Sequence, residues 1–475
     1  MNTRDEVLTR AARHAQDYLA GVGERPVRPE ADAAALRKIL GGTIPDAGDP
    51  PVAVIDRLAE AGRVGSVATQ GPRFFGFVVG GSLPAATAAD WLVSAWDQNA
   101  GIYVLSPVVS VVEEVALEWI RDLIGLPSHW SGGFVTGCQM ANFTGLVTAR
   151  HQVLRDAGWD VEARGLNGAP PVDVIVGDEA HYTIFNALRL SGLGGATARR
   201  VPTDSQGRMD ASALEAMLKG GSGPCIVCAQ AGNVNTGAFD PIARIADLAK
   251  ARGAWLHVDG AFGLWGRVSP DIAPWLDGIE RADSIATDAH KWLNVPYDCG
   301  IALTAHPAAH RAAFTLSAAY IVATDTERDP HEYVPEESRR GRAVPVYAVL
   351  RSLGRRGLRD LVERSCACAR RMAKALDGQP GVKVLTDVVL NQVLVRFTPA
   401  GGGDADAWTR EVIQRVQQDG TCWLGGTTWH GMAAMRISFS HWATSDEDVD
   451  RSAAAILAAA GVGSAGGVTA GANRG

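Results

Sequence analysis

Residues 254–296 read AWLHVDGAFGLWGRVSPDIAPWLDGIERADSIATDAHKWLNVP, and this stretch decides the architecture. Two short apolar runs, AWLHVD and SIATD, stand one connection apart, and each is the length of a buried strand. Asp259 ends the first run and is followed by Gly260 and Ala261. A carboxylate at a strand end with so little bulk after it can sit under something flat, or it can be a turn residue or helix cap. Lys291 follows the second run and precedes Trp292 and Leu293. A lysine that loses water there lowers its pKa and becomes a nucleophile. The plainer reading is a surface lysine beside a tryptophan.

Outward from this stretch the same rhythm continues. Apolar runs VDVIVGD (172–178) and PCIVCAQAG (224–232) alternate with helical segments such as HYTIFNALRLSG and DPIARIADLAKARG. Strands alternating with helices of that length imply crossover units and a mostly parallel sheet. Functional groups then gather where strand ends meet helix starts.

The remaining chain sorts by composition. Residues 1–64 alternate helical patterns with Pro-rich breaks and read as a helical arm. Residues 65–320 form a large α/β domain. Residues 321–344, polar, charged and Pro-punctuated, read as a mobile loop. Residues 345–462 form a smaller α/β domain, in which Ser445 and Asp448 are spaced for a capping box. The Gly-rich end, 463–475, reads as disordered.

The 475 residues are 47% apolar and 20% charged, with a net charge of −7, which offers no basic surface for nucleic acid. The amino terminus lacks the apolar core of a signal peptide, and no run is long enough to span a bilayer. Seven scattered cysteines read as reduced thiols of a cytoplasmic protein. Cys225 and Cys228 form a C-x-x-C without a second ligand pair, which reads as a buried strand rather than a metal site.

Two further stretches carry chemistry. SGGFVTGCQMANFTGLVTAR (131–150) is a Gly-rich turn entering a helix, whose first amides suit a phosphate, although a plain strand-to-helix turn accounts for it equally. In VGDEAHYTIFNALRLSG (176–192), His181 leaves a strand and opens a helix, either as a functional imidazole or as a structural one.

In their order and spacing these stretches resemble the group II pyridoxal-phosphate-dependent amino-acid decarboxylases, a family that includes aromatic-L-amino-acid and glutamate decarboxylases. HVDGAFG and DAHKW carry the resemblance, with GDEAH and AGNVNTGAFDPI in support, and it runs from about residue 65 to 455. It implies a fold-type I architecture: a large domain with a mostly parallel seven-stranded sheet, a small C-terminal domain, and a homodimer wrapped by the arm with its active site at the interface. Lys291 is then the residue holding pyridoxal 5'-phosphate as a Schiff base, and Asp259 the partner of the pyridine nitrogen. His181 stacks on one face of the ring and Ala261 packs against the other. Cys138 and Gln139 hold the phosphate through backbone amides, and Asn233, Asp288 and His290 complete the cofactor site. The acidic Asp288 is expected to act through a backbone group or a hydrogen-bonded neighbour. Phe77, Asn99 and Tyr103, in RFFGFVVGG and DQNAGIYVL, line the substrate pocket, or are core.

The resemblance implies decarboxylation of an L-amino acid to its amine, with one departure. The family places a tyrosine on the mobile loop as proton donor, and here that position falls near Pro330 or His331. His331 and Tyr333 are the candidate donors. The alternatives are a carbon–carbon lyase, an aldehyde-forming oxidative deaminase, or a silent cofactor-binding protein. A transaminase is discounted, since Arg436 is the one candidate for a second-carboxylate site.

Overall fold

The computed structural model describes residues 3–315 and 326–462; the expected tail and residues 321–325 of the expected loop lie outside them. By contacts the chain divides into two units: residues 1–77 with 370–385 and 393–475, and residues 78–369 with 386–392.

The larger unit holds the seven-stranded sheet that the resemblance implies. Its strands are β1 (Ser131–Val135), β2 (Asp173–Gly177), β3 (Arg199–Val201), β4 (Cys225–Gln230), β5 (Trp255–Asp259), β6 (Ser284–Asp288) and β7 (Gly300–Thr304), in the order β1-β7-β6-β5-β4-β2-β3. β7 runs antiparallel to both β1 and β6, and the pairs β6–β5, β5–β4, β4–β2 and β2–β3 are parallel. Every residue of β4 to β7 is buried, so these strands read as continuous apolar runs rather than alternating ones. Cys225 and Cys228 stand three apart on β4, so their side chains point to opposite faces of the sheet and cannot converge on one ion.

SGGFV, expected as a turn, is strand β1. Its glycines are there for closeness. A Cβ on Gly132 would lie 2.8 Å from the side chains of Leu117 and Leu303. The helix Cys138–Asp156 follows and packs across β5, β6 and β7. Since β1, β2, β4, β5 and β6 all point the same way, the segments after them meet at one edge of the sheet. At that edge β7 begins with Gly300, where a Cβ would collide with the Gly137 backbone.

Residues 326–342 are tied down in this structure. Glu113, 1% exposed, pairs with Arg328 and Arg339 at 2.9 Å each. Those two guanidiniums also donate to the carbonyls of Gly132 and Phe134 on β1. Asp329 accepts the Tyr103 amide at 2.8 Å.

The smaller unit carries β8 (Val382–Val384), β9 (Gln392–Phe397), β10 (Gly425–Trp429) and β11 (Met432–Ser438), ordered β10-β11-β9-β8, with helices Ala405–Asp419 and Asp446–Ala459. Ser445 and Asp448 form the expected capping box. Residues 1–77 cluster with this sheet: Phe74 stacks on Trp423 at 5.0 Å, and Arg73 pairs with Asp448 at 3.0 Å. Among the described residues no helix is long and apolar enough to cross a membrane.

Candidate active site

β6 delivers Asp288 to the sheet edge, and the turn after it carries Lys291 three residues on. The Lys291 amine lies 2.9 Å from Asp288 Oδ2. Burial pulls the lysine down, but Asp288 together with Cys138 and Asp259 more than offsets it, and the amine is pushed up to about 12. The lowered pKa expected from desolvation therefore does not hold while Asp288 faces the amine. Asp288 Oδ1 also accepts the Cys138 amide at 2.5 Å, with His290 Nε2 3.4 Å away. The carboxylate thus meets a backbone amide and a neighbouring imidazole, the kind of contact expected of it. His290 Nδ1 accepts the Cys299 amide at 3.1 Å, so in the neutral ring the proton sits on Nε2, toward Asp288. Burial lowers the His290 pKa and favours that neutral form.

Asp259 ends β5 and is 4% exposed. Its Oδ1 accepts the Ala261 amide at 3.1 Å and the Cys138 thiol at 3.4 Å, and Oδ2 accepts Asn142 Nδ2 at 3.1 Å. Burial, then the Asp259 charge, pushes the Cys138 thiol well above its usual range, so it stays a donor. Cys138 thus links the two carboxylates, its amide on Asp288 and its thiol on Asp259. It opens the helix Cys138–Asp156 behind Gly137, where a Cβ would press to 3.2 Å from His290 Cε1. Gln139 follows in the first helical turn, half-buried. Ala261 packs with Cys138, Ala286 and Val334.

His181 precedes the helix Tyr182–Leu190. Its amide donates to Gln230 Oε1 at 3.3 Å, and Gln230 is the β4 residue in register with Asp259. Its Nδ1 meets Thr183 Oγ1 at 2.8 Å.

The other expected site residues meet partners within the chain. Asn233 is fully buried, and its amide serves the chain's own backbone: Oδ1 accepts from Asn235 and Thr236, and Nδ2 donates to the Glu179 carbonyl. It shapes its turn, where cofactor contact was expected. Asn99 likewise caps the amides of Gly101 and Arg339. Tyr103 opens a short 3₁₀ turn. Phe77 is 63% exposed, with a φ of 54° and its ring on Trp423, and belongs to the smaller unit by contacts. Tyr333 packs edge-on against His310, which bonds Ser131 at the start of β1, the end away from Cys138. His331 is 3% exposed, its Nδ1 3.0 Å from Glu337.

Two residues escaped the sequence reading. Asn142 and His257 stand behind Asp259, with His257 Nε2 at 2.9 Å from Asn142 Oδ1. A signal existed: two residues apart on a strand, His257 and Asp259 face the same side.

What this edge can hold follows from its donors. It offers an amine for a carbonyl, helix-start amides for an anion, and an ionisable carboxylate for a basic ring nitrogen. A pyridine aldehyde bearing a phosphate needs all three, and the glycines and Ala261 leave the backbone accessible to it. Fold and site together define a fold-type I pyridoxal phosphate protein.

Comparison with known proteins agrees. The pyridoxal-dependent decarboxylase conserved domain matches residues 36–398. An aromatic-L-amino-acid decarboxylase of Bacillus atrophaeus is 27% identical over 444 residues, covering 91% of this chain and 90% of that protein. A phenylacetaldehyde synthase of Arabidopsis thaliana is 24% identical over 451 residues, covering 91% of each. A crystal structure of Oryza sativa TDC with PLP and tryptamine superposes with a TM-score of 0.89 at 25% identity, covering 97% of this chain and 98% of that one. The chain belongs to the pyridoxal-dependent decarboxylase family. It is accordingly an enzyme of the pyridoxal-phosphate-dependent carboxy-lyase class.

Proposed function

We propose that this enzyme removes the α-carboxylate of an L-amino acid as carbon dioxide and releases the amine. The observation that carries the reading is the Lys291–Asp288–Cys138–Asp259 constellation at the sheet edge. Bound pyridoxal phosphate supplies an electron sink for the bonding pair left when carbon dioxide departs. The chain's residues do the rest. Lys291 is the covalent anchor and, once displaced by the substrate amine, a buried acid or base. Asp259, its oxygens oriented by three donors, pairs with the ring nitrogen and keeps a proton there. His181 covers one ring face and Ala261 leaves space at the other. The first-turn amide of Gln139 takes the phosphate, joined by that of Cys138 once it leaves Asp288, with His290 beside them.

The proton returned to the α-carbon is the open step. We assign it to His331 or Tyr333 on the 321–344 loop. Their present partners, Glu337 and His310, favour a second reading in which the donor is out of place and an aldehyde forms. The similarity to a phenylacetaldehyde synthase supports weighing that outcome. Phe77, Asn99 and Tyr103 remain our candidates for the substrate side. Exposed Leu8, Leu19 and Leu58 on the amino-terminal helices, with Ile44 between two of them, suit burial against a second copy, and we assign a homodimer on that basis. The seven cysteines, read as reduced thiols, support a cytoplasmic location.

Incubation of the holoenzyme with the common L-amino acids tests the reaction. Carbon dioxide and the matching amine in equal amounts are expected. Aldehyde with ammonia and hydrogen peroxide would replace this reading with the second.

A further inference from the structure

Behind Asp259 stands a buried polar file that the reaction does not touch. Asn142 and His257 are wholly buried, and so is Ser284 at the start of β6. Trp255 Nε1 donates to Ser284 Oγ at 2.8 Å, and Ser284 Oγ lies 2.8 Å from His257 Nδ1. His257 Nε2 lies 2.9 Å from Asn142 Oδ1, and Asn142 Nδ2 is 3.1 Å from Asp259 Oδ2. Room for the ring is made by the neighbouring helix: a Cβ on Gly145 would lie 2.9 Å from His257.

The protons in this file have one consistent order. An ionised Asp259 only accepts, so Asn142 turns its amide nitrogen toward it and its oxygen toward His257. His257 must then carry its proton on Nε2. Its Nδ1 accepts the Ser284 hydroxyl, whose oxygen accepts the Trp255 N–H. Burial keeps His257 neutral, its pKa drawn down to about 4 although the Asp259 charge opposes this. Turning Oδ2 from acceptor to donor toward Asn142 would ask Asn142 to turn over and His257 to change tautomer, both inside a packed core.

We propose that Asn142 and His257 are positioning residues: the file running from Trp255 through Ser284, His257 and Asn142 holds Asp259 in one rotamer, with Oδ2 kept as an acceptor toward Asn142. A carboxylate so fixed keeps its alignment with the ring nitrogen opposite it. This deepens the proposed role of Asp259, and it rests on that role. It does not depend on which product the enzyme releases.

The test compares wild type with Asn142→Leu, His257→Leu, His257→Gln and Ser284→Ala, each reconstituted with pyridoxal phosphate. Cofactor affinity and the pH midpoint of the bound cofactor's absorbance are read, with thermal melting of the apoprotein as the folding control. Loss of a hydrogen bond to a charged group is expected to weaken cofactor binding by about ten-fold or more in both leucine variants and to move the absorbance midpoint. His257→Gln, whose Nε2 can still donate to Asn142, is expected to stay near wild type. If folded leucine variants keep wild-type affinity and midpoint, the proposal is overturned. Should they fail to fold, Ser284→Ala decides: it frees His257 to change tautomer, so a shifted midpoint supports the file and an unmoved one overturns it. A wild type with the same spectra but no carbon dioxide from any amino acid would sink the decarboxylase reading alone.

Discussion

Lys291 and Asp288 form a buried ion pair, and on the proposed reading the cofactor's attachment depends on it. Lys291→Ala is expected to abolish the covalent cofactor absorbance and to lower turnover by at least about a thousand-fold, as for loss of a nucleophile that also moves protons. Spectra and steady-state rates check both. Asp288→Asn tests the electrostatics more finely. Asp288 is the foremost of the groups that hold the Lys291 amine near 12 against burial. Without that charge, burial draws the amine down, and the pH midpoint for cofactor attachment should fall by about one unit or more. Stopped-flow absorbance across pH measures it, and an unmoved midpoint would show that Asp288 does not control the amine. Asp259 was legible as a strand-end carboxylate and Lys291 as an oddly placed amine. The Cys138 thiol on Asp259 was not, because residues 121 apart in sequence meet only once the helix Cys138–Asp156 lies on β5 and β6.

Among the elements, the segment 326–342 shows how a polar stretch can be fixed without a core. Glu113 on the helix Pro107–Ile124 neutralises Arg328 and Arg339, and Arg339 is 5% exposed. Glu113→Ala leaves two largely buried guanidiniums without their carboxylate. A loss of about 3–5 kcal/mol is expected, as for any buried pair deprived of one partner. Urea denaturation measures this, and a loss under about 1 kcal/mol would mean water replaces the carboxylate. The charged composition of 321–344 suggested a loop free to move. What it concealed was that two of those charges have a buried partner more than 200 residues earlier.

For the whole molecule, burial lowers the pKa of four histidines among the described residues, His290 and three others farther down. Burial lowers His257 to about 4, His441 to about 4 and His310 to about 3, with the Arg328 charge adding to the last. An unfolded histidine titrates near about 6.5, so between that pH and the folded value the unfolded chain binds more protons. Their contribution is therefore complete above about pH 6.5 and is lost as pH falls toward 4. For His257 alone the loss approaches about 3 kcal/mol. Denaturation midpoints at pH 7.5, 6 and 5 should fall steadily, and His257→Gln should flatten part of the slope. Stability unchanged from pH 7.5 to 5 would refute this.

The order of short buried strands and intervening helices, with Asp259 and Lys291 one crossover apart, was determined by the sequence itself. Local hydrophobic runs and chain connectivity suffice to place strand ends on one edge of a parallel sheet. The capping box at Ser445 was equally local. Only the tertiary structure decided which groups those ends face. It showed that Asn233 and Asn99 serve the backbone, that Gly132 belongs to a strand, and that Asn142 and His257 stand behind Asp259. The physical reason is range. Propensity and periodicity act over a few residues, whereas hydrogen-bond partners and burial are set by segments that meet only when the sheet and its covering helix close together.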